Sequence, residues 1–210
     1  MLLTFGKYKN KTIQDIFKDD KQYINWLCSQ KWFHENHYEL YTISVEVIDK
    51  YNPVINHDKF IVYTDGACPN NGNSKARSSI GVHFSEKNSV KIEDVGRALN
   101  LAKHSNNYSE MSAIYESLRL IKEKDIKLPI ELYTDSTYCR SILLEWYEKW
   151  VRNGLLHNKK NLTIIQKTYD IYKEFDNLKI IHVPAHTRNK DEHSRGNSIA
   201  DQLARNALKK

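Results

Sequence analysis

Apolar residues beyond position 60 fall into two kinds of run. Phe60, Ile61, Val62 and Tyr63 are consecutive, apolar, and rich in β-branched and aromatic side chains, which predicts a buried strand. Ile130–Thr134 repeats the pattern, and Leu178–Val183 is a further predicted strand. Ser79–Ser85 and Val90–Ala98 alternate in polarity and follow the first run through short polar loops, which predicts an antiparallel meander. Between the runs the period changes. Met111, Ile114, Leu118 and Ile121 form one stripe of an amphipathic helix over Asn107–Lys124. Ser136 opens a second helix with Tyr138, Ile142 and Leu143, and Thr163–Phe175 and Asn197–Leu208 give two more. The order βββαβααβα, with helices on a mixed sheet, predicts a layered α/β or α+β fold.

The first fifty residues follow a different pattern and predict a small, mainly helical module. Leu2–Phe5 reads as a short strand. Thr12 is placed to cap a helix carrying Ile13, Ile16 and Phe17, and Tyr23–Cys28 and Tyr38–Tyr51 supply two more helical faces. Trp26, Trp32 and Phe33 are expected in its core, because so short a segment needs large side chains. Asn52–Lys59, with Pro53 and several polar residues, reads as a linker. The expected organisation is therefore an accessory module at 1–52 and a main domain at 60–210.

Charge separates the two parts. The chain of 210 residues has a formal net charge of +6. Residues 1–55 hold seven basic and seven acidic groups, so the whole excess lies in the larger part. A basic domain with carboxylates at strand ends suggests a polyanionic substrate with a metal between the two. The three cysteines, Cys28, Cys68 and Cys139, are widely spaced and odd in number, which argues against a disulfide framework or a zinc site. With no apolar run long enough to cross a bilayer and no leader-like start, an intracellular protein, cytoplasmic or nuclear, is expected.

Four acids stand out by position. Asp65 and Asp135 each end a Tyr-Thr-Asp tripeptide after an apolar strand, Glu110 lies early in the amphipathic helix, and Asp201 sits in the closing helix. Taken alone, Asp65-Gly66 is also a common turn dipeptide. Recurrence of the tripeptide favours two carboxylates at one sheet edge. Four acids converging there would repel one another unless divalent cations neutralised them. Mg²⁺ suits such an all-oxygen site.

The motifs YTDGAC…NG at 63–72, IGV at 80–82, NNYSE at 106–110, LYTDS at 132–136, W…W…NG at 146–154, HVPAH at 182–186 and GNSIADQLAR at 196–205 occur in order. Together they resemble type 1 ribonuclease H, most like the eukaryotic form, over nearly all of 60–210. The resemblance implies a mixed five-stranded sheet flanked by helices. It also implies an endonuclease that hydrolyses the RNA strand of RNA–DNA hybrids, leaving 5′-phosphate and 3′-hydroxyl ends. Two Mg²⁺ ions, with Mn²⁺ as an alternative, would be held by Asp65, Glu110, Asp135 and Asp201, and His186 would assist proton transfer or product release. Asn71, Asn106 and Asn107 match contacts to the RNA strand, and Tyr138 and Trp146 match the surface against the DNA strand. Lys103, Ser105 and Asn153 fall where the family has a phosphate pocket. A monomer is expected.

Two departures stand out. His186 and Asp201 are fifteen positions apart, five more than is usual, so the charged loop 187–195 is expected to be mobile and its His193 competes for the role of His186. The stretch LTFGKYKNKTIQDIFKDDKQYINWL at 3–27 resembles a module appended to some exodeoxyribonucleases, with an unknown partner, and residues 1–52 do not show the signature of the usual hybrid-binding domain. The competing readings are a DNA-directed nuclease of the same superfamily and a catalytically silent hybrid-binding protein.

Overall fold

The computed structural model describes residues 1–51, 58–185 and 191–209. The chain divides into two compact units, Met1–Ile55 and Asn56–Lys210.

In the smaller unit, four helices pack around Leu3, Ile13, Ile16, Phe17, Ile24, Leu27, Phe33, Leu40 and Val47. They are α1 (Ile13–Asp19), α2 (Lys21–Ser29), α3 (Lys31–Asn36) and α4 (Tyr38–Tyr51). Thr12 caps α1 as its side chain predicts, accepting from the Asp15 amide, and Asp20 caps α2. The expected strand at Leu2–Phe5 is reduced to a single bridge, Leu2 to Thr12. The sequence pattern also missed α3. Phe33 is fully buried as expected, but Trp26 and Trp32 are 50% and 38% exposed. The aliphatic residues of α1 and α2 already fill the interior, which leaves no room for two indoles.

The larger unit is built on a five-stranded sheet in the order β3-β2-β1-β4-β5. Its strands are β1 (Phe60–Ala67), β2 (Ser78–Phe84), β3 (Val95–Leu99), β4 (Ile130–Thr134) and β5 (Leu178–His182). β1, β2 and β3 are antiparallel neighbours, whereas β4 and β5 join in parallel, with Thr64 opposite Thr134 and Thr134 opposite His182. β3 begins five residues later than its polarity predicts. Before it, the Asn88 side chain occupies both backbone groups of Ile61 at 2.8 Å, and Asp94 accepts from the Phe84 amide at 2.9 Å. Side chains thus replace ladder partners there, and pairing resumes at Val95.

Strand alternation divides the interior in two. Phe60, Val62, Val82, Leu132 and Ile180 face α5 (Asn106–Glu123), whose Met111, Ile114, Leu118 and Ile121 are all fully buried. Ile61, Tyr63 and Tyr133 face the opposite side, with Ala200 of α9 (Glu192–Asn206). After β4 the chain forms α6 (Thr137–Ser141), a π-helical segment (Ile142–Trp146) and α7 (Tyr147–Arg152). A 3₁₀ turn (Leu156–Asn158) then leads to α8 (Leu162–Tyr172). α9 starts five residues before the expected position, because Asp191 caps it and accepts from the His193 and Ser194 amides. Residues 192–195 are therefore helical rather than part of a loop.

Candidate active site

Two glycines let helices approach the sheet closely enough to deliver acids. A Cβ on Gly66 would lie 2.1 Å from the Glu110 nitrogen, so the start of α5 rests directly on β1. A Cβ on Gly81 would lie 1.9 Å from the Ala200 carbonyl oxygen, so α9 rests on β2 beside Asp201. Gly66 is consequently part of β1, paired with Ile80, and Asp65 lies within the strand rather than at a turn. α5 begins at Asn106, one residue early, which puts Glu110 just past its first turn.

Asp65, Glu110 and Asp135 each present a carboxylate oxygen within 4.8 Å of the others. Asp65 and Glu110 are buried and Asp135 is half-buried. Asp65 Oδ1 accepts from the Gly66 amide at 2.7 Å. Burial, then the charges of Asp135 and Asp201 and a hydrogen bond with Asp201, push the Asp65 carboxyl up to about 8. Burial first, then Asp65 and Asp135, hold Glu110 well above the ordinary carboxylate range. Among the described residues, Glu110 Oε2 is buried with no hydrogen-bond partner. Asp201 borders the same cleft, of about 640 Å³, but its Oδ1 is engaged by Arg205 Nε at 2.7 Å, one turn along α9. Asp65 and Glu110, whose ionised forms are costly here, and the unpartnered Glu110 oxygen suit a hard divalent cation.

A second cleft of about 550 Å³ adjoins the first, and Asn106 lines both. It gathers Asn71, Lys103, Ser105, Asn106, Asn107 and Tyr138, six of the residues singled out in the sequence. Asn71 Oδ1 accepts from the Asn106 amide at 3.4 Å, and Ser105 caps α5. Tyr138 and Trp146 meet edge to face, centroids 6.0 Å apart, and Trp146 is 36% exposed.

Asn153 and His193 stand outside these clefts. Asn153 is the exposed C-cap of α7 and does not line this cleft. Asn161 stands there instead, with Lys160, and its Nδ2 donates to Ser105 Oγ at 3.3 Å. Asn161 adopts a left-handed φ of 61°, a conformation asparagine tolerates better than most residues; that was the signal available in the sequence. His193 does not border the acidic cleft. Its imidazole lies on the far side of the sheet, stacked on Tyr133 at 4.1 Å, so it does not compete for proton transfer at the acids. His186 lies outside the described residues.

No helix among the described residues is long and apolar enough to cross a membrane, and the three cysteines are free.

A family model described as RNase H matches residues 57–209, and one described as Exodeoxyribonuclease X-like C-terminal matches residues 3–31. A Ribonuclease H of Wolbachia pipientis wMel is 33% identical over 155 residues, covering 70% of this chain and 94% of its own length. Ribonuclease H1 of Mus musculus is 30% identical over 158 residues, covering 72% of this chain and 51% of its own. Among solved structures, a foamy viral protease-reverse transcriptase in complex with RNA/DNA hybrid superimposes with a TM-score of 0.56 at 25% identity, covering 70% of this chain and 20% of that one. The likeness runs through all five strands and spans every one of the four acids, and this chain therefore belongs to the RNase H family of nucleases.

Proposed function

We propose that the larger unit is an endonuclease that hydrolyses the RNA strand of RNA–DNA hybrids, with Asp65, Glu110, Asp135 and Asp201 as holders of two divalent ions. The observation that carries this reading is the gathering of Asp65, Glu110 and Asp135, each with a carboxylate oxygen within 4.8 Å of the others, one of them Glu110, whose buried Oε2 has no hydrogen-bond partner. Mg²⁺ fits the all-oxygen donor set, and Mn²⁺ is the alternative. When bound, such a pair of ions makes water nucleophilic near neutral pH and offsets charge on the leaving oxygen. The products then carry 5′-phosphate and 3′-hydroxyl ends.

The chain's own groups set up this chemistry. The Gly66 amide orients Asp65, and the close packing of α5 fixes Glu110 beside it. Arg205 restrains Asp201 within the cleft. His186 is assigned proton transfer or product release on the sequence resemblance. In the adjoining cleft Asn71, Asn106 and Asn107 face the RNA strand, where reading the 2′-hydroxyl separates RNA from DNA. Lys103, Ser105 and Asn161 form a phosphate-holding corner, in which the lysine supplies charge without a bidentate fork. Tyr138 and Trp146 present the apolar surface for the DNA strand. We read residues 1–52 as an accessory module of a monomeric intracellular enzyme.

The test uses labelled hybrid, duplex DNA and duplex RNA, and then hybrids with single 2′-deoxy substitutions in the RNA strand. Cleavage is expected of the hybrid alone and is expected to fall when a 2′-hydroxyl facing Asn106 or Asn107 is removed. Comparable cleavage of duplex DNA, or indifference to every 2′-deoxy substitution, would overturn the reading.

A further inference from the structure

α9 begins at Glu192, and its first turn brings His193 under the sheet. There the imidazole stacks on Tyr133, with an interplanar angle of 17°. Its Nδ1 lies 3.1 Å from Tyr63 Oη and its Nε2 lies 3.2 Å from Tyr133 Oη. Tyr133 Oη donates to Glu131 Oε2 at 3.0 Å, and Lys59 Nζ holds the same carboxylate oxygen at 2.6 Å. With its proton committed to Glu131, Tyr133 Oη accepts from His193 Nε2–H. Nδ1 is then the acceptor for the Tyr63 hydroxyl, so the network assigns one tautomer. Lys87 pairs with Glu192 at 3.4 Å and ties the same helical turn to the loop after β2.

What the network joins is the point. Tyr63 stands two residues before Asp65 on β1, and Tyr133 stands two residues before Asp135 at the end of β4. The two tyrosines are register partners with stacked rings 5.3 Å apart. His193 lies eight residues before Asp201 on α9, about 12 Å along a rigid helix. The same helix is pressed on the Tyr63 ring at Gly196, where a Cβ would lie 2.4 Å from it. One imidazole therefore bridges the three elements that carry Asp65, Asp135 and Asp201. These carboxylates repel one another, and the repulsion acts to spread β1, β4 and α9 apart.

We propose that His193 is a positioning residue for the metal-holding acids, fastening β1, β4 and α9 together so that their carboxylates keep the separation a divalent cation requires. It touches neither substrate nor metal and acts through Tyr63 and Tyr133. The inference rests on the four acids being the metal site.

The experiment compares the wild-type protein with His193→Phe, which keeps the stacking ring and loses both hydrogen bonds. Mn²⁺ binding to the full chain, without hybrid, is measured by titration calorimetry. Hydrogen-bonded groups behind ligands are worth about 10–100-fold in metal affinity, and His193 lies one step further back, so a weakening of about three- to tenfold is expected. Cleavage should show the same shift in half-saturating Mg²⁺, with the Michaelis constant for hybrid unchanged and turnover recovered at saturating metal. His193→Gln, which retains a donor and an acceptor, should bind metal within about twofold of wild type on the same scale. Tyr133→Phe removes the acceptor for Nε2 and should shift metal affinity in the same direction, which keeps the test open if His193→Phe does not fold. Wild-type metal affinity in a folded His193→Phe protein, or a loss confined to thermal stability, would overturn the proposal. Asp65→Asn is the control: if it binds Mn²⁺ as wild type does, the acid site itself is misassigned, whereas lost binding there beside an unaffected His193→Phe rejects this inference alone.

Discussion

Asp65→Asn should stabilise the metal-free protein while abolishing cleavage. The Asp65 carboxyl is held at about 8 in the fold against 3.8 for the free side chain, with burial the largest cause and Asp135 and Asp201 next. The folded state thus binds more protons than the unfolded state between these values, so stability falls as pH rises from about 4 to about 8. At 1.36 kcal/mol per unit, the full shift sets a ceiling of about 6 kcal/mol on the strain above pH 8. Part of this is the shared repulsion within the cluster, and an amide still has a burial cost, so a net gain of about 1–3 kcal/mol is the working expectation. The asparagine oxygen can keep the Gly66 amide bond, and its NH₂ can donate to the neighbouring carboxylates. The assay is guanidinium unfolding in EDTA at pH 5 and pH 8.5, with hybrid cleavage in parallel. The gain should be larger at the higher pH. Adding Mg²⁺ should close or reverse it, since a ligand at 100 times its dissociation constant stabilises the wild type by about 2.7 kcal/mol. A variant less stable than wild type in EDTA at pH 8.5, or a gain that shrinks as pH rises, would refute the reasoning.

Gly81→Ala forces a methyl to within 1.9 Å of the Ala200 carbonyl oxygen, so it should cost about 1–3 kcal/mol and lower turnover by displacing Asp201; thermal unfolding and kinetics on hybrid check both. Asn161→Gly preserves the left-handed backbone and deletes the side chain, so it should raise the Michaelis constant for hybrid with turnover intact, whereas Asn153→Ala should leave both near wild type. Trp146→Ala should weaken hybrid binding, measured by fluorescence anisotropy, by about 1–3 kcal/mol if the ring packs on the DNA strand. A chain beginning at residue 58 should fold and retain wild-type turnover; its salt dependence on hybrid should lose about one unit of log–log slope at most, and an inactive or insoluble product would defeat the two-domain reading.

The strands, the long helix and the strand-end positions of Asp65 and Asp135 were legible because each is marked by a local period or a repeated tripeptide, whereas Glu110 and Asp201 were singled out by the motifs around them. Met111, Ile114, Leu118 and Ile121 could only line one face of a helix, and all four are fully buried. Several of the misses have a different cause: an interaction distant in sequence decides the local outcome. Gly66 reads as a strand breaker until α5 is seen resting on it. Asn153 and Asn161 are separated by the end of α7 and a 3₁₀ turn, after a π-helical segment, so counting positions could not say which one reaches Ser105. The early start of α9 follows from the Asp191 cap, whose serine and histidine partners read as loop residues when the strand beneath them is not in view.

The acids and their supports differ in the same way. A carboxylate that must hold a cation is announced by its motif, because the chemistry allows few substitutes at that position. The groups that hold it in place can be recruited from anywhere the fold brings near. In this chain they are two missing Cβ atoms at Gly66 and Gly81, one arginine a turn beyond Asp201, and the tyrosine pair that grips His193. None of these contacts has a sequence separation that a short motif could encode, apart from the i, i+4 pair of Arg205 and Asp201. A four-acid pattern therefore predicts that a chain can bind metal. How tightly it does so at a given Mg²⁺ concentration is set by side chains whose effect should appear in metal titrations before it appears in turnover at saturating metal.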